Sequence, residues 1–83
     1  MSLLASVPST DLDPTTTRRV LELRDEANSL RKFRLSPEIL DRVASWSVAV
    51  ATLESEGNMT SEQKRVLDLC ANRLRKAFPE VDL

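Results

Sequence analysis

Apolar residues recur at helical spacing three times along this chain. Val20, Leu23, Ala27 and Leu30 are three and four positions apart, which places them on one face of a helix. Glu22, Arg24, Asp25, Glu26 and Arg31 fill the remainder of that helix. A second stripe runs through Ile39, Val43, Trp46, Val50 and Leu53, and a third through Leu67, Cys70, Leu74, Ala77 and Phe78. No segment shows the strict alternation of a half-buried strand.

Local signals mark where each helix begins and ends. Asp13-Pro14 is a helix start, with Asp as N-cap and Pro in the first turn, where its missing N–H costs nothing. Ser36-Pro37-Glu38 repeats the device, and Leu35 and Leu40 stand where a hydrophobic staple would join. Pro37 also disfavours helical geometry in the residue before it, so the first helix must stop near Arg34. Gly57 is the only glycine and follows the last apolar position of the second stripe, where a left-handed residue commonly closes a helix. Thr60-Ser61-Glu62-Gln63 matches a capping box, and Pro79 ends the third helix. The predicted helices are 14–33, 37–55 and 61–78.

The second helix is the unusual one. From Val43 to Leu53 it carries no charge, in a chain that is 30% charged. The run is too short for a bilayer, which needs roughly 20 apolar residues. A further stripe at Leu40, Ala44 and Ala51 lies beside the main one. Two apolar faces predict two neighbours, so the second helix is expected to be the inner element.

Short connections force antiparallel neighbours. The expected fold is all-α: an up-down-up three-helix bundle over residues 13–79, preceded by a flexible arm at 1–12 and followed by a short tail at 80–83. The alternative is a helical hairpin that completes its core as a dimer. A domain of this size buries only about 60–65% of its unfolded surface, which favours such supplementation. One Gly, two Phe, one Trp and no Tyr argue against a sandwich or barrel.

Charge and chemistry narrow the function by exclusion. Net charge is -1, so nothing draws the whole molecule toward nucleic acid or membrane. There is no His, which removes the commonest general base and metal ligand. One Cys offers neither a disulfide framework nor a zinc site, and a chain with one Gly has no phosphate-cradling loop. The carboxylate pairs Glu22/Glu26 and Glu54/Glu56 read as solvated helix surface. No catalytic residue, cofactor or metal is expected. A helix-turn-helix is disfavoured because the turn at Arg34-Leu35-Ser36 lacks Gly and the helix after it is apolar. No secretory leader is evident in residues 1–7, so a cytoplasmic setting is the expectation.

Two groups of residues are left over. Leu21, Phe33, Val48 and Leu69 sit off the apolar stripes and are candidates for a protein interface, whether with a foreign partner or in a homodimer. Arg31, Lys32 and Arg34 end the first helix, and Arg73, Arg75 and Lys76 end the third; in an up-down-up bundle these six share a pole. They complement helix C-termini or form a patch for an anionic partner. The reading that follows is a small non-enzymatic regulator, adaptor or inhibitor that binds a protein. The alternative is a nucleic-acid-associated protein that uses the basic pole. Cys70 reads as a small core residue, and Trp46 as a core residue near an edge or interface, since its indole N–H needs a partner.

Overall fold

The computed structural model describes residues 13–83, and the expected arm at 1–12 lies outside them. Helix α1 spans Pro14–Leu30, α2 Pro37–Ser55 and α3 Ser61–Ala77. They form the all-α three-helix bundle, and no strand occurs among the described residues.

Each helix start is built as the sequence implies. Asp13 caps α1: its carboxylate accepts from the Thr15 N–H at 3.2 Å and from the Thr16 hydroxyl at 3.0 Å. This second bond lets Thr16 be buried without an unsatisfied hydroxyl. Ser36 Oγ accepts from the Ile39 N–H at the head of α2. At α3 the capping box is complete, with Gln63 N–H donating to Thr60 Oγ1 and Thr60 N–H donating to Gln63 Oε1. Such a cap is worth about 1 kcal/mol.

The ends differ more. α1 stops at Leu30, three residues before the expected boundary. Leu30 is the last core residue, and the chain then tightens through Lys32 N–H to Ser29 O and Phe33 N–H to Leu30 O. Gly57 takes φ +77 just after α2. α3 ends at Ala77, and Phe78 follows as a buried cap.

The core joins Val20, Leu23, Ala27 and Leu30 of α1 to Ile39, Val43, Trp46 and Leu53 of α2 and to Leu67, Cys70, Leu74 and Phe78. Side-chain links fix the direction of the helices. Gln63 Nε2 donates to Thr17 Oγ1 at 3.0 Å, and Arg19 pairs with Glu56 at 3.6 Å. The start of α1, the end of α2 and the start of α3 therefore meet at one pole, as an up-down-up order requires. Val81 and Leu83 fold back onto the core, so residues 80–83 are less of a free tail than their acidity suggests.

One expectation is corrected. α2 is not the inner element: α1 packs closely on both neighbours, and α2 and α3 approach each other least. The inner face of α1 carries five buried residues, Thr16, Val20, Leu23, Ala27 and Leu30, one more than α2. Val50, expected at the centre, is only half-buried, whereas Val43 and Leu53 are fully buried.

Candidate interaction surfaces

The clearest surface is the outer side of α2. Leu40, Ala44, Val48 and Ala51 are all exposed, so the second apolar face expected to be buried is open to solvent. At 100° per residue the four fall within an arc of roughly 80°. Val48 is 65% exposed, against 44% for Leu40. The hydroxyls bordering this face turn inward: Thr52 Oγ1 donates to the Val48 carbonyl at 2.9 Å, and Ser55 Oγ donates to the Thr52 carbonyl at 2.7 Å. Such back-bonding spends polar groups on the helix itself and leaves the face more apolar than its composition implies.

The four candidate interface residues are all exposed and lie on different elements. Leu21 lines the groove between α1 and α3 with Thr17, Val20, Arg24, Gln63 and Val66, a space of about 250 Å³. Phe33 lies in the α1–α2 connection, with the Arg42 guanidinium 5.7 Å from its ring centroid, a cation–π contact. Val48 belongs to the outer face of α2. Leu69 is on α3 beside Arg73 and Lys76. Leu40, Ala44 and Ala51, which the helical pattern assigned to a second buried face, are the neighbours that Val48 does have.

At the opposite pole, Arg31, Arg73 and Lys76 converge around a groove of about 450 Å³ that also includes Ala77. Ala77, expected in the core, is exposed there. Arg75 is on the same stretch of α3, and its guanidinium donates to Asn72 Oδ1. Lys32 and Arg34 are exposed in the connection after α1. Among the described residues the ion pairs are Arg19–Glu56 and Arg24–Asp25, and neither draws on these six cations.

Cys70 is in the core next to this region. Burial pushes its thiol above the ordinary range, and Arg73, Arg24 and Arg31 pull it partway back. That favours the neutral thiol over the nucleophilic thiolate. Trp46 is also core, and its indole N–H is satisfied from inside: it donates to the Leu23 carbonyl at 2.7 Å. No group of three or more Cys, Asp or Glu side chains among the described residues is placed to hold a metal ion. None of the described helices is long and apolar enough to cross a membrane.

No known protein family matches the chain, and neither a curated protein nor a solved structure is similar to it.

Proposed function

We propose that this protein is a small, non-enzymatic protein-interaction module: a regulator, adaptor or inhibitor that acts in the cytoplasm by occupying a partner's surface. The observation that supports this most is the open, uncharged outer face of α2, formed by Leu40, Ala44, Val48 and Ala51. An apolar face of this kind on a thinly stabilised domain is where association gains most. Self-association through it, giving a homodimer, is the simplest form of the reading. The absence of His from the whole chain supports a role without catalysis.

The test is affinity recovery from the native lysate with wild type and Val48→Glu side by side, at low and high salt. The reading predicts a bound protein that survives high salt and is lost with Val48→Glu. A second reading, nucleic-acid binding at the basic pole, draws on the convergence of Arg31, Arg73 and Lys76. It predicts recovery of nucleic acid instead, released steeply by salt and indifferent to Val48.

A further inference from the structure

Two hollows lie between α1 and α3, and at 100° per residue Thr17, Leu21, Arg24 and Arg31 place both on one side of α1, along a single inter-helix groove. Near the start of the helices it is mostly apolar, lined by Val20, Leu21 and Val66, with Glu62 at its margin and Arg24, which pairs with Asp25, on its α1 side. Near their ends it is cationic, lined by Arg31, Arg73 and Lys76. Arg31, the C-cap of α1, lies fourteen positions beyond Thr17, or about 21 Å, roughly four helical turns. We propose that this groove receives one partner helix of that length, lying antiparallel to α1 and α3, with an acidic first turn over Arg31, Arg73 and Lys76. It is a different surface from the outer face of α2 and does not depend on it.

Three observations fix the direction and polarity of the occupant. First, the cations exceed what their own helices can neutralise. The C-termini of α1 and α3 contribute about half a negative charge each, against three convergent positive side chains with no ion pair among the described residues. Glu38 of α2 stands at the same pole but pairs with none of the three, so their positive charge is open to an acidic partner. Second, the C-terminal ends of two parallel helices favour the N-terminus of a third, as α2 already demonstrates. It enters at this pole with Glu38 in its first turn and runs antiparallel to both. A partner helix on the opposite side would repeat that arrangement and complete a four-helix, up-down-up-down cluster. Third, the apolar half suits side chains rather than a phosphate backbone. Leu21 and Val66 offer contacts to leucines at helical spacing, and Glu62 offers a partner for a basic last turn. No aromatic residue lines the groove as a stacking platform for bases would require.

The test uses the full-length, isotope-labelled protein and two synthetic helical peptides of about four turns. Both carry leucines at three- and four-residue spacing. One has glutamates in the first turn and lysines in the last, and the other has these charges exchanged end for end. A single-stranded DNA oligonucleotide is the third probe. The expected result is amide shift changes at Leu21, Val66 and Arg73 with the first peptide, with Val48 unmoved. The first peptide should bind about tenfold more tightly than the second, the sum of a few exposed ion pairs. Arg31→Glu combined with Arg73→Glu changes two exposed side chains and should reverse the preference with the helical signal intact. Equal binding of the two peptides, no binding of either, or shifts confined to α2 would overturn the proposal. So would salt-sensitive binding of the oligonucleotide in place of the peptides.

Discussion

The indole nitrogen of Trp46 donates a 2.7 Å hydrogen bond to the backbone carbonyl of Leu23, across the α1–α2 interface and out of reach of solvent. A mid-helix carbonyl already accepts from the N–H four residues on, so the indole uses its second lone pair. The bond satisfies the one polar atom of the largest core residue and fixes how α2 is positioned along α1. Trp46→Phe keeps most of the apolar surface and removes the donor. It should cost about 1–2 kcal/mol and lower the melting midpoint by roughly 5–15 °C in a domain of this size. Trp46→Ala, at about 3–5 kcal/mol, should leave little cooperative unfolding, measured by circular dichroism.

Cys70 gives a pH-dependent prediction. Burial raises its thiol in the folded state, so the unfolded chain loses that proton first as pH rises. Stability from this group is complete below the thiol's ordinary unfolded range and declines as pH climbs through and above it. Denaturant titrations at pH 7.5 and pH 9.5 should show lower stability at the higher pH. Cys70→Ala should shrink the difference while lowering stability at both. An undiminished difference in Cys70→Ala would assign it to other groups.

The helix starts were legible because each is a local device. Asp13-Pro14, Ser36-Pro37 and Thr60 to Gln63 each satisfy orphan N–H groups within three residues, so tertiary context adds little. Gly57 was legible for the same reason: a positive φ near a helix end singles out glycine. The inner helix does not follow from charge, because an uncharged run need not be buried: Leu40, Ala44, Val48 and Ala51 of α2 are exposed. Ala44, Ser45 and Ala51 are small, and leaving them in water costs little at about 25 cal/mol per Å². Which helix lies innermost depends instead on how all three pack together, which the spacing along any one helix does not encode. The up-down-up order accounts for the convergence of Arg31, Arg73 and Lys76, whereas Lys32, Arg34 and Arg75 do not line that hollow. That Leu21 shares its groove with Val66, and Leu69 keeps company with Arg73, required the rotation of each helix.

Leu69 tests the rotation assigned to α3. It is 50% exposed, on the side away from Leu67, Cys70 and Leu74. Leu69→Glu should keep the helical signal and move the melting midpoint by only a few degrees, as surface changes do. Leu67→Glu, two residues earlier and fully buried, should unfold the domain. If Leu69 takes part in self-association, sedimentation equilibrium across a concentration series should show Leu69→Glu shifted toward monomer. A wild type that stays monomeric at high concentration would remove the homodimer.

The most direct test of the account compares two valines in the uncharged run of α2. Val43 is fully buried and Val48 is 65% exposed, five residues apart on the same helix. Val43→Asp places an unpaired carboxylate in the core and should abolish cooperative thermal unfolding. Val48→Asp places it on the open face and should leave the melting midpoint within a few degrees of wild type. Thermal unfolding of the two variants, followed by circular dichroism at low protein concentration, decides the matter. A folded Val48→Asp beside an unfolded Val43→Asp is the predicted result. If both unfold, α2 is enclosed on both sides, and the free face on which the proposed function rests does not exist.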